Sequence, residues 1–229
     1  MREGRGGPQK IPRPQQWHLG APAPWAGQTQ RTFTLETIQK AISQYEPLIL
    51  ADETPDRRRS AVLIPIYLQP HDDLYVILTR RSAMMKHHTH EVSFPGGNQE
   101  PEDIDLWATA VREAQEEIGL DPVLPRHIGT LDSFVTVGSN SHVTPLVATL
   151  EMIPELEANP IEVEEIIHVS LSELLDPAIF REEIWELQDG RTRPVFFFEL
   201  LGNTIWGATA SMLRQFLLVI LSIGQNTHS

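Results

Sequence analysis

Cysteine is absent from the 229 residues. That excludes a disulfide scaffold, a thiolate-held zinc and a cysteine nucleophile. Positive charge is scarce as well: 18 Lys and Arg face 31 Asp and Glu, for a formal net charge of -13. So acidic a chain lacks the basic face that displaces counterions from nucleic acid, and no nucleic-acid partner is expected. A small phosphorylated ligand stays compatible, because a few local arginines and a divalent cation bridging to acids suffice to hold it. Long apolar runs are missing too. The longest, "FLLVILSIG" at 216–224, is too short to span a bilayer and follows Arg214 and Gln215. The N-terminus carries arginines but no apolar segment of signal-peptide type. These absences predict a soluble, cytoplasmic protein without a membrane partner.

What is present is enough for a packed core, since 41% of the residues are apolar. Residues 1–31 are rich in Pro and Gly and predict an irregular arm. Trp17 and Trp25 are able to pin it to the domain or to a second subunit; a mobile tail is the alternative. Residues 32–58 predict a helix capped by Thr34, then the polar linker "ADETPDRRRS". Residues 59–224 predict the main domain. In it, "AVLIPIYL" and "LYVILT" are apolar, β-branched runs separated by "QPHDD", which predicts a hairpin, and "EVSF" predicts a short strand. "DLWATAVREAQEEIG" predicts a helix with Asp105 as N-cap and Gly119 as its stop. Strands follow near 127–136, 142–150 and 164–169, then the short helix "SLSELL", the strand "PVFFFEL" and the closing helix "WGATASMLRQFLLVIL". Strands on both sides of a central helix, with a terminal helix, predict an α/β/α sandwich around a mixed β-sheet.

The chemistry concentrates at 111–120, "VREAQEEIGL". Glu113, Glu116 and Glu117 fall at i, i+3 and i+4 and share one helix face at roughly 100° per residue. Three converging carboxylates repel one another unless a cation joins them, and Mg²⁺ or Mn²⁺ prefers such oxygen donors. A solvated acidic face is the alternative reading of the same spacing. Arg112 lies between the acidic and apolar faces, placed to hold the carboxylates. The preceding "FPGG" lets Gly96 and Gly97 bring backbone close to a metal or a phosphate. By contrast, His87, His88 and His90 lack the helical i, i+4 pairing of a zinc site and predict a surface loop or a substrate contact.

Together these residues resemble the Nudix box: Gly, five residues, Glu, seven residues, then Arg-Glu-apolar-x-Glu-Glu-x-Gly-apolar. Arg112, Glu113, Ala114, Glu116, Glu117, Gly119 and Leu120 match its second half. The first half departs: five residues after Gly97 stands Asp103, and eight residues then separate it from Arg112. The chain resembles the coenzyme A diphosphatase branch of Nudix hydrolases, which commonly carries that Asp and the extra residue. The likeness extends to "LTRRS" at 78–82, "VSFPGG" at 92–97 and "IWGATA" at 205–210. Lys86 stands where that branch usually has Arg, and His90 where it usually has Gly.

The resemblance implies a Nudix-type fold and metal-dependent hydrolysis of a nucleoside diphosphate derivative. The implied substrate is coenzyme A or an acyl derivative, giving 3′,5′-ADP and (acyl-)phosphopantetheine. ADP-ribose, NADH or a dinucleotide is the alternative, and a binding module without turnover a more distant one. The implied metal ligands are Gly97, Glu113, Glu116 and Glu117. The implied catalytic set is Glu113, Glu116, Arg112 and a later acid, with Glu162 and Glu165 preferred over Glu164. Arg80, Arg81, Lys86, Phe94 and Gly96 are the expected substrate contacts. A homodimer is a further expectation, since Nudix domains often pair.

Overall fold

The computed structural model describes residues 5–27, 33–50, 57–69, 73–84, 90–136 and 140–223. The linker residues 51–56, the hairpin tip 70–72, and Lys86, His87 and His88 lie outside the described residues.

In chain order the elements are β1 (Trp17–Leu19), α1 (Leu35–Ser43), β2 (Arg58–Gln69), β3 (Asp73–Arg81), β4 (Val92–Ser93), β5 (Gly96–Asn98), α2 (Leu106–Ile118), β6 (Arg126–Thr130), β7 (Phe134–Val135), β8 (Ser141–Leu150), β9 (Val163–Ser170), α3 (Leu171–Leu174), β10 (Phe180–Glu186), β11 (Thr192–Leu200), β12 (Asn203–Trp206) and α4 (Gly207–Ile223). The larger sheet has eight strands and runs β4-β3-β2-β8-β6, with β9 on β3, β5 on β2 and β7 on β8. It is mixed: β2 and β8 are parallel over ten residue pairs, and the other pairings are antiparallel.

Alternation along the central strands builds two cores, because successive side chains of a strand point to opposite faces. Ala61, Leu63, Tyr67, Ile77, Leu146 and Ala148 pack against Ala110, Ala114 and Ile118 of α2. Ile64, Ile66, Val76, Leu78 and Val147 pack on the other face against α1 and α4 through Ile38, Ile42, Leu213, Phe216 and Leu217. The architecture is therefore the expected helix–sheet–helix sandwich. Its helix ends are those that local chemistry predicts. Thr34 caps α1 in a capping box. Asp105 caps α2 by accepting from Ala108 N at 2.8 Å, and Gly119 ends it in a left-handed conformation at φ 66°.

A second sheet differs from the single one expected. It is four-stranded and antiparallel, in the order β1-β10-β11-β12. Only β11 is apolar enough to read as a strand. β10, "FREEIWE", carries three consecutive charges at 181–183 that break strand alternation, and its Glu183 is fully buried. That carboxylate accepts from Arg13 at 2.7 and 2.9 Å and from Trp185 Nε1 at 2.7 Å, and it pairs with Arg181. A buried charge held by this many donors is tolerable, but nothing in the local pattern announces it. The arm is thus built into the fold: β1 adds a strand to β10, and Trp25, 3% exposed, packs on Phe180 and Phe198. The closing helix begins one residue later than expected, because Trp206 still pairs with Phe197 in the sheet.

Candidate active site

The site starts from a divergence of two strands. β2 pairs with β3 only over Ile66–Gln69, while its first half pairs with β5. β3 in turn pairs with β4 at Thr79 and Arg80. The segment Val92–Asn98 fills the opening between them, pinned by the Leu63 N–H donating to Pro95 O at 2.9 Å. Gly96 lies so close to β2 that a Cβ there would sit 2.4 Å from Ala61 O, at φ 155°. At Gly97 the neighbour is functional rather than structural: a Cβ would meet the Glu113 carboxylate at 2.5 Å. "FPGG" therefore delivers backbone against the acids of α2.

Those acids divide although they share a helix face. Glu113 and Glu117, one turn apart, line a cleft of about 1310 Å³ together with Gly97, Arg81 and Glu162. Glu117 is 3% exposed; among the described residues it is compensated by the Gly96 N–H at 3.4 Å and Arg81 Nη1 at 3.8 Å. Burial, with Glu113 and Glu162 nearby, pushes its pKa up to about 8. Burial raises that of Glu113 as well, against the pull of Arg112. Glu116 points outward, its side chain about half exposed, and takes Arg112 Nη1 at 3.0 Å.

Arg112 is the hub. Its Nε and Nη2 hold Asp103 at 3.0 and 2.9 Å, its Nη1 also reaches Glu113 at 3.1 Å, and Nη2 donates to Asn98 O at 3.0 Å. Asp103 further accepts from Glu100 N and from Thr109 Oγ1. The Arg112 fork and these donors hold the Asp103 carboxyl down at about 2. The acid that departs from the expected box thus clamps the arginine that orders the helix acids.

Among the described residues, no three His, Asp or Glu side chains stand close enough together to hold a metal ion as they are. The donor set nevertheless fits one. A buried carboxylate with little compensation faces two more carboxylates and a glycine backbone, all hard oxygen donors.

A model of the family described as NUDIX domain matches residues 57–187. The chain belongs to the Nudix hydrolase family. It is 36% identical over 160 residues to the "Uncharacterized Nudix hydrolase NudL" of Photorhabdus laumondii, covering 70% of this chain and 83% of that one. It is 34% identical over 192 residues to "Nudix hydrolase 15, mitochondrial" of Arabidopsis thaliana, covering 78% of this chain and 66% of that one. Among solved structures, an Ap4A hydrolase from C. elegans superimposes with TM-score 0.47 at 17% identity, covering 72% of this chain and 98% of that one. The Nudix match ends just past β10, so β11, β12 and α4 lie beyond it and β1 and α1 precede it.

Other expected site residues sit elsewhere. Arg80 and Glu165 are cross-strand partners on β3 and β9, ion-paired at 2.8 Å, and are not among the cleft-lining residues. Arg80 also donates to Asn203 on β12 at 2.9 Å, which ties the two sheets together. Of the later acids it is Glu162 that lines the cleft. The reason is register: β9 starts at Val163, so Glu164 and Glu165 are committed to the sheet while Glu162 stays in the loop above it. Phe94 touches the cleft but is 1% exposed and anchors the wall in the core. His90 occupies the left-handed region at φ 60°, where a glycine would sit without strain. Its ring turns outward to Glu164 at 2.8 Å, so the position keeps a glycine-like backbone. Arg193 and Arg214, which no sequence signal picked out, line the same cleft from β11 and α4.

Among the described residues, no helix is long and apolar enough to cross a membrane.

Proposed function

We propose that this Nudix hydrolase cleaves the diphosphate bond of a nucleoside diphosphate derivative, with coenzyme A or an acyl-coenzyme A as the preferred substrate. The observation that carries the reading is Glu113, Glu117 and Glu162 gathered around Gly97 in one cleft, with Arg81 beside them. The Gly97 carbonyl, Glu113 and Glu117 would hold Mg²⁺ or Mn²⁺, which Glu116, here turned outward to Arg112, would join on release from that pair; the ion when bound would neutralise the diphosphate and make a water acidic enough to lose its proton and attack phosphorus. Arg112 keeps Glu113 and Glu116 oriented and is itself locked by Asp103. Arg81 offers its guanidinium to the diphosphate. Glu162, free of the sheet and close enough to raise the pKa of Glu117, accepts the proton of the attacking water. Support for the branch comes from "LTRRS", "VSFPGG" and "IWGATA", and from the glycine-like backbone at His90. A cleft of about 1310 Å³ has room for a ligand the size of coenzyme A. Action in the cytoplasm, and as a homodimer, belongs to the same proposal.

The test is a hydrolysis screen of coenzyme A, acetyl-coenzyme A, ADP-ribose, NADH and dinucleoside polyphosphates with Mg²⁺ and with Mn²⁺. Release of 3′,5′-ADP and phosphopantetheine at the highest kcat/KM is the expected result. Preference for ADP-ribose or NADH would overturn the substrate, and no turnover of any member would overturn the reaction.

A further inference from the structure

Strand β9 carries one residue too many for its partner. Tyr75 to Arg80 of β3 pair with Ser170 to Glu165 in unbroken antiparallel register, but Arg81 then faces Val163, so Glu164 has no residue opposite it. An extra residue of this kind kinks a strand and reverses the faces of the side chains beyond it. The consequence falls on the cleft. Val163 shares the core of Ile77, Ala114 and Ile118 on the α2 side of the sheet. Without the bulge, Arg81 would stand opposite Glu164 on that side and be neutralised by it. With the bulge its cross-strand neighbour is apolar, and its Nη1 reaches toward Glu117 at 3.8 Å. Glu162, one residue further back, lines the same cleft, its carbonyl oxygen accepting from the Ser82 N–H at 2.8 Å.

A bulge disrupts the ladder, and other contacts must hold it. Here Glu164 turns to the opposite side together with Glu165. It meets His90 Nδ1 at 2.8 Å and Arg80 Nη2 at 3.4 Å, while Arg80 Nη1 takes Glu165 at 2.8 Å. A carboxylate only accepts, so Nδ1 of His90 carries the proton. The His90 hydrogen bond, and after it the charge of Arg80, hold the Glu164 carboxyl below the usual carboxylate range. The backbone of His90 sits against β3 as well: its N–H donates to Arg81 O at 3.1 Å, and the Arg81 N–H donates to Glu91 O at 2.9 Å. One residue thus touches both strands at the bulge, its backbone on Arg81 and its ring on Glu164. At φ 60° a glycine would be unstrained, so the Glu164 contact is what the ring adds.

We propose that His90 is a positioning residue for hydrolysis: by holding Glu164 away from the cleft it fixes the β9 bulge, which leaves Arg81 to the substrate and Glu162 to the attacking water. The inference rests on the roles proposed above for Arg81 and Glu162, and deepens them by naming what sets their geometry.

The experiment removes the contact from either side, by His90→Gly and by Glu164→Ala. Each is expected to lower kcat about 10-fold, on the scale of a misplaced catalytic group, with a smaller rise in KM. The double variant loses no more than either single one, because both changes act through one contact. His90→Asn tolerates the left-handed region and sets its amide nitrogen where Nδ1 was, so it retains most of the activity. Wild-type kcat in His90→Gly overturns the proposal, as do losses that multiply in the double variant or a His90→Asn as slow as His90→Gly. Amide hydrogen exchange reads the bulge without any substrate. Protection of the Ser82 N–H falls in His90→Gly while that of Ile77 in mid-strand stays, and unchanged protection at Ser82 overturns the brace. Should the wild type hydrolyse nothing, the functional reading fails, and exchange at Ser82 alone decides the inference.

Discussion

The two walls of the cleft are built on opposite plans. The acid wall is dense, local in sequence and internally braced: Asp103, Arg112, Glu113 and Glu116 lie within fourteen residues and hold one another through a single guanidinium. The arginine wall is sparse and comes from one strand and one helix, Arg193 of β11 and Arg214 of α4, each held against an aromatic ring. Bracing suits groups that must hold a cation against mutual repulsion.

The strongest way to break the contrast is to empty the acid wall. Glu117→Gln is expected to lower hydrolysis on the order of 10³-fold. The same change removes a buried carboxylate with little compensation, so the protein in chelator should melt higher, by about 1–3 kcal/mol of stability. Thermal melts with and without EDTA, beside single-substrate kinetics, check both. A drop in stability would show that Glu117 is better compensated than its surroundings indicate.

Next in size are the two glycines of "FPGG". Gly97→Ala pushes a methyl into the Glu113 carboxylate and is expected to cost about 100-fold in kcat while the fold persists. Gly96→Ala presses instead on β2 backbone and is expected to cost about 2–3 kcal/mol of stability. Denaturant titration separates the two, and equal stability losses would erase the distinction drawn between them.

The brace is tested by Arg112→Lys, which keeps a charge but not the fork. A loss of about 10–100-fold in kcat is expected, since Glu113 and Glu116 lose their support. Asp103 gives the pH dependence of the same brace. Its carboxyl is held at about 2, below its ordinary 3.8, so its stabilisation is fully present above 3.8 and is lost as pH falls through about 2. Asp103→Asn should flatten acid unfolding in that window, measured by circular dichroism, and an unchanged profile would remove Asp103 from the brace.

The smallest effect is expected at the arm. Gln9 donates to His90 O at 2.8 Å and accepts from Thr204 N at 3.3 Å, bridging the loop above β4 to the second sheet. Gln9→Ala should cost below about 1 kcal/mol and shift KM roughly two- to threefold with kcat nearly unchanged. A change in kcat larger than in KM would place the arm's influence at the acid wall instead.

How much of this was legible followed the range of the interactions. Helix α2, its Asp105 cap and its Gly119 stop could be read because capping and 3.6-residue periodicity act within a few positions. The same spacing put Glu113, Glu116 and Glu117 on one face, yet did not reveal that only Glu113 and Glu117 turn into the cleft. That depends on Arg112 drawing Glu116 outward. Glu165 was a reasonable acid to single out, but the start of β9 assigns it to Arg80 and leaves Glu162 at the cleft. The second sheet escaped notice because Glu183 satisfies its charge with Arg13, 170 positions away, and with its neighbours in the sheet.

The sequence by itself determined the central helix, the strand runs of the larger sheet, the acids and arginine of the Nudix box and the glycines that approach them. Each rests on contacts between near neighbours in the chain. Tertiary structure alone decided that the arm joins the second sheet, that Glu162 rather than Glu165 reaches the cleft, and that Arg193 and Arg214 line that same cleft. Those outcomes depend on register and packing between segments far apart in sequence, where side-chain pattern carries no local mark of its partner.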